Sequence, residues 1–164
     1  MTYEDRVPST IPTPAELAAA PVIDRWQVIE SGPWMHGQLW GYFRNHPEIA
    51  DGTYAHSSPV IYLEATERPT WAVTRKRIYR LGDPMGAAEK RIREIAAGFG
   101  ITAERVLLDD LVDKWGELSG ESGEQADEVE QLAINLRRRE LVDPDEMFEL
   151  IGNYICEKYA AKQA

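Results

Sequence analysis

The sequence predicts an α+β protein, with a small antiparallel β-sheet or partial β-barrel followed by a four-helix C-terminal half. Three observations lead there. Short β-prone runs, broken by Gly, Pro, Asn and Asp turn chemistry, fill residues 22–82. Apolar residues at helical spacing, separated by capping signals, fill residues 84–161. Charge divides along the same line: residues 84–164 hold ten bases and eighteen acids, a net of −8, whereas residues 22–83 hold seven of each.

Residues 1–12 are polar and Pro-rich and read as a flexible arm. A domain over 13–83 then opens with a short helix, in which Thr13 caps, Pro14 takes the first turn, Glu16 closes a capping box and Pro21 stops the chain. Strands are expected at Trp26–Glu30, ended by Ser31-Gly32-Pro33, and at Trp34–Phe43, bending at Gly37 or Gly41. After turns at Asn45-His46-Pro47 and Asp51-Gly52, Thr53–His56 and Val60–Leu63 read as two strands interrupted by Ser57-Ser58-Pro59. Trp71–Leu81 reads as the longest strand.

The acidic helical domain, 84–164, is expected to pack against the β-part. Its first helix is capped by Asp83, faced by Met85, Ala88, Ile92, Ile95 and Phe99, and ended by Gly98 and Gly100. Thr102 caps the second, whose stripe is Leu107, Leu111, Trp115 and Leu118. Ser122 and Gln125 box the third, faced by Ala126, Val129, Leu132, Ala133 and Leu136. Asp143, Pro144 and Glu146 open the fourth, with Val142 and Met147 as a staple and Leu150, Ile151, Tyr154 and Ile155 along its face. Each apolar side is expected to turn inward.

No apolar run approaches the roughly 20 residues that span a bilayer, and the N-terminus lacks the order of a signal peptide. One cysteine, Cys156, excludes an internal disulfide, and a reduced cytoplasmic location fits. Cofactor and nucleophile motifs are absent: there is no GxxxxGK[ST], GxGxxG, CxxC or GxSxG. No catalytic residue, metal or cofactor is therefore assigned, and a non-enzymatic protein is expected.

Three clusters remain as candidates. Asp109–Glu130 holds nine acids and one base; Asp109, Asp110, Asp113, Glu117, Glu121, Glu124, Asp127 and Glu128 are the candidate partner-binding surface. Carboxylates off an apolar stripe form a negative face that can imitate phosphates and fill a basic groove, or simply solubilise the chain. The leading expectation is a regulatory protein that binds a protein partner through this face. Its sharper form is a phage or mobile-element inhibitor of a nucleic-acid-binding defence complex. The second cluster, Arg75, Lys76, Arg77, Tyr79 and Arg80, would put cations and a ring on one strand and suit nucleic acid. The third is His36, His46 and His56, spaced by ten, which would underlie a metal-dependent hydrolase, but no pair has the HxH or HxxxH spacing that makes imidazoles converge.

Ala18-Ala19-Ala20-Pro21-Val22-Ile23-Asp24-Arg25-Trp26 and the landmarks Asn45-His46-Pro47, Asp51-Gly52, Ser57-Ser58-Pro59-Val60, Trp71-Ala72-Val73-Thr74 and Ile78-Tyr79-Arg80-Leu81-Gly82 form a recognisable pattern. Over about residues 17–83 it resembles a family of small uncharacterised bacterial proteins with an Ala-Pro…Trp start and a Tyr-Arg-Leu-Gly end. His56 departs from that pattern, where a β-branched residue is expected before the Ser-Pro. The resemblance implies a shared β-rich part and no activity.

Overall fold

The computed structural model describes residues 11–30, 37–120 and 123–163. Most of the N-terminal arm, Ser31-Gly32-Pro33, Trp34, His36, Glu121 and Ser122 lie outside the described residues. The chain divides into two compact units, the first ending at Met85 and the second beginning at Gly86.

The first unit opens with α1 (Pro14–Ala19), and its capping box forms as expected. Thr13 Oγ1 accepts from the Glu16 N–H at 3.3 Å, and the Glu16 carboxylate accepts from the Thr13 N–H at 2.8 Å. Five strands follow: β1 (Val22–Ile29), β2 (Gln38–Arg44), β3 (Thr53–Leu63), β4 (Trp71–Thr74) and β5 (Ile78–Leu81). They close a barrel in chain order. Consecutive strands are antiparallel, so β1 and β5 run in the same direction and the closing pair is parallel, Val22 opposite Arg80 and Ile23 opposite Leu81. An odd-stranded meander can close in no other way.

Three strand expectations change, the first being that β1 begins at Val22 rather than at Trp26. Ser57-Ser58-Pro59 does not interrupt β3, which runs through it. Pro59 lacks a donor, but its carbonyl still accepts from the Arg75 N–H at 3.0 Å, and the ladders on both sides shift register nearby. The expected long strand 71–81 folds back as a hairpin with Arg75 and Lys76 at its tip. Thr74 causes the reversal: its N–H donates to the Arg77 carbonyl at 2.9 Å, and its hydroxyl accepts from the Arg77 N–H at 3.3 Å.

Alternate residues fill the barrel: Ile23, Leu39, Phe43, Val60, Ala72, Tyr79 and Leu81, with Trp26 donating from Nε1 to the Gly82 carbonyl at 3.0 Å. β1 bulges between Asp24 and Gln27, where Arg25 takes φ +48°. Gly41 packs under that bulge. A Cβ there would stand 2.6 Å from Ile23 Cγ2 and 2.8 Å from the Asp24 carbonyl, so the strand needs glycine at this point.

The second unit contains α2 (Ala87–Gly98), α3 (Leu107–Ser119), α4 (Glu128–Arg138) and α5 (Pro144–Gln163). Its core joins Ala88, Ile92 and Ala96 of α2 to Val129, Leu132, Ala133 and Leu136 of α4 and to Met147 and Tyr154 of α5, with Val142 beside Met147. Three helix starts move. Asp83-Pro84 does not open α2, because Pro84 bridges to Trp26 and the Met85 N–H donates to the Trp26 carbonyl at 2.7 Å, which keeps the chain extended. Thr102 does not open α3, because Asn135 Nδ2 donates to the carbonyls of Thr102 and Glu104 at 2.8 and 2.9 Å. α4 starts at Asp127, whose box with Glu130 replaces the one expected at Ser122 and Gln125. No helix among the described residues is long and apolar enough to cross a membrane.

Candidate functional site

Two surfaces concentrate chemistry. The first is α3. At 100° per residue, Leu107, Leu108, Leu111, Val112, Trp115 and Leu118 occupy one continuous arc, and Asp109, Asp110, Asp113 and Glu117 the opposite one. The expected orientation is apolar side inward. The structure has the reverse. None of the helix's residues is buried, and Leu111, Trp115 and Leu118 are 54%, 75% and 79% exposed. The acidic side is the anchored one.

Asp109 is the centre of that anchor. It accepts from Arg138 Nη2 at 2.6 Å, from the Val106 N–H at 2.9 Å and from Gln131 Nε2 at 3.2 Å. Asp110 and Asp113 both pair with Arg105, and Gln125 donates to Asp113 at 3.2 Å. The Arg138 guanidinium, and then the Val106 N–H, hold the Asp109 carboxyl at about 2. Its ordinary value, near 3.8, lies above that, so the stability it contributes is complete above the ordinary value and is lost as pH falls through about 2. Asp109→Asn should therefore lower stability at neutral pH and flatten the acid limb of a stability–pH curve between about pH 4 and 2. Parallel limbs for the two proteins would remove Asp109 from this role.

Other candidate acids are also engaged internally. Asp127 caps α4, accepts from the Tyr154 hydroxyl at 2.7 Å and pairs with Lys158 at 2.7 Å. Burial pushes its carboxyl up, but the bonds from the Glu130 N–H, Lys158 and Tyr154 outweigh burial and hold it below the ordinary value. Glu128 pairs with Arg93 at 3.0 Å. Glu117 and Glu124 make no ion pair among the described residues.

The second surface is a polar cleft of about 260 Å³ on the barrel. Gln38 lines it from β2, His46, Glu48 and Ile49 from the following turn, His56, Ser57 and Ser58 from β3, and Lys76, Arg77 and Tyr79 from the β4–β5 hairpin. It thus gathers two of the three sequence-predicted histidines and three of the five basic-cluster residues. His46 Nδ1 accepts from the Glu48 N–H at 3.1 Å, which leaves Nε2 to meet the Tyr79 hydroxyl at 3.3 Å. Burial, then the charge of Arg77, holds the His46 imidazolium below its ordinary pKa, so the ring is neutral near pH 7. No group of three His, Cys, Asp or Glu among the described residues could hold a metal ion.

The basic cluster does not form one face. Arg75 and Lys76 are exposed at the hairpin tip, Arg77 reaches Glu48 at 3.5 Å, and Arg80 Nε donates to the Ala20 carbonyl at 3.4 Å. Tyr79 is buried in the barrel and cannot stack on a ligand. Solvent-accessible rings lie instead on β2 and β3, where half-buried Trp40 pairs across the ladder with exposed His56, and half-buried Tyr42 with Tyr54. Alternation along each strand was the signal for them, but pairing them needs the register.

Barrel and helices together define the class, an α+β protein with a closed five-stranded meander followed by four helices. The chain belongs to a family of unknown function (DUF6634), which it matches over residues 7–109. The match spans the whole barrel and α2 and ends in the first turn of α3, so it includes the expected stretch and extends it at both ends. No curated protein and no solved structure matches the chain.

Proposed function

We propose that the protein is a non-enzymatic interaction protein that docks another protein on the apolar face of α3. What carries this reading is six large apolar side chains left in solvent on one helix whose polar side is tied down. Contiguous apolar surface of this kind, exposed on a protein, marks interaction sites. A helix with anchors at i, i+4, i+8 and i+11 fits an apolar groove on a partner.

Charge selects the partner. The second unit carries −8, ten bases against eighteen acids, so a second copy meets long-range repulsion while a groove rimmed by Lys and Arg attracts it. A protein whose groove ordinarily holds nucleic acid has that chemistry, and covering such a groove is the inhibitory form of this reading.

The test uses Leu111→Asp with Trp115→Asp, which should not disturb the core. Immobilised protein should capture a partner from nuclease-treated lysate. Capture should weaken with added salt and fall at least tenfold in the double variant, while circular dichroism is unchanged. Equal capture by the variant would overturn the proposal. A dimer seen by light scattering and dissolved by the variant would replace the foreign partner with a second copy.

A further inference from the structure

We propose that the outer face of β2 and β3, together with the adjoining cleft, is a binding site for single-stranded nucleic acid. The inference is independent of α3. It starts from the register: because Trp40 faces His56 and Tyr42 faces Tyr54, four aromatic rings form one patch on the outside of the barrel. Ring centroids lie 4.7 Å apart for Trp40–His56, 5.8 Å for Trp40–Tyr54 and 5.3 Å for Tyr42–Tyr54. All four side chains keep access to solvent, His56 most of all. Arg25 caps the far end, its guanidinium 4.4 Å above the Tyr42 ring.

At the near end, His56 passes the patch into the cleft, where the cations stand. Lys76 and Arg77 line it, and Arg75 is at the same hairpin tip. The charges and dipoles facing them are few. Among the described residues Glu48 is the cleft's one carboxylate; it is largely exposed and pairs with Arg77 at 3.5 Å. His46 is turned toward Tyr79, and His56 Nδ1 meets the Ser57 carbonyl at 3.1 Å. Ser58 Oγ accepts from the Lys76 N–H and donates to Thr74, so it fixes the hairpin tip rather than reaching outward. Lys76 and Arg75 make no ion pair among the described residues.

One further observation points to a ligand. Trp40 Nε1, at the middle of the patch, is buried and has no hydrogen-bond partner among the described residues. A buried donor without an acceptor is uncommon, and a base carbonyl or phosphate oxygen would supply one. Rings that accept base faces beside cations that accept phosphates are the two parts a single-strand site needs. A duplex hides its base faces, and an acidic peptide has no use for the rings.

The test is anisotropy of fluorescent oligo(dT) and oligo(U) with the full chain at low salt. Binding should appear, weaken steeply as salt is added, and quench tryptophan emission in the parent but not in Trp40→Phe. Lys76→Glu with Arg77→Glu should weaken binding at least tenfold, and Tyr54→Ala about tenfold, each with an unchanged far-ultraviolet spectrum. Leu111→Asp with Trp115→Asp should bind oligonucleotide as the parent does. The proposal is overturned by no binding at low salt, by unchanged binding in Lys76→Glu/Arg77→Glu, or by duplex binding as tightly as the single strand. Displacement by inorganic phosphate at concentrations similar to the oligonucleotide would overturn it too, leaving a small-anion site.

Discussion

Phe43→Ala should lower the stability of the barrel by about 3–5 kcal/mol, read as a shift in a urea unfolding curve. Phe43 has no exposed surface. Its ring meets Tyr79 edge-on, with centroids 5.7 Å apart and planes at 87°, and meets His46 at 5.5 Å and 79°. Alanine would remove a barrel-core ring that backs the cleft residues His46 and Tyr79, leaving a void that close-packed strands cannot fill. The effect should reach the site, because Tyr79 and His46 owe their orientation to this ring, so oligonucleotide binding should weaken together with stability. Phe148→Ala is the control, since that ring is 81% exposed and its loss should shift stability by no more than about 0.5 kcal/mol. A cost for Phe43→Ala below about 1 kcal/mol would mean that the ring is not packed as described.

A leucine pair in the second unit should separate folding from docking. Leu136→Ala should cost about 2–5 kcal/mol, because Leu136 is fully buried between helices. Leu111→Ala makes the same chemical change where the side chain already meets water, so stability should stay within about 0.5 kcal/mol. Partner capture should respond the other way round, falling with Leu111→Ala while Leu136→Ala, held below its unfolding midpoint, retains it. A large loss of stability from Leu111→Ala would place α3 in the core and remove the exposed face on which the proposed docking rests.

Much of the helical unit was legible in local chemistry. The caps of α1 and α5 formed at Thr13 and Asp143 because each needs only residues within one turn. The start of α4 moved to a neighbouring local box, Asp127 with Glu130, whereas those of α2 and α3 moved because more distant groups compete for the same backbone. Trp26 holds Met85, and Asn135 holds Thr102 and Glu104. The hairpin at Arg75-Lys76 was hidden for a related reason, since its turn carries neither Gly nor Asn and depends on the Thr74 side chain.

Sequence alone determined the α+β class, the core face of α4, most of the core faces of α2 and α5 (Phe99 and Ile155, expected inside, are exposed), and the split between a neutral β-part and an acidic helical part. Periodicity and composition suffice there, because burying one face of a strand or helix is a local demand. Only the tertiary structure decided which way α3 turns, since a sequence shows that a helix has two faces but not which one its neighbours hold. Arg105 holds Asp110 and Asp113 from close by, but Arg138 and Gln131 lie 29 and 22 residues from Asp109, so their grip on it exists only once the unit is folded. The patch of Trp40, Tyr42, Tyr54 and His56 likewise depends on the β2–β3 register, because a one-residue slip of β3 would turn Tyr54 and His56 to the face opposite Trp40 and Tyr42.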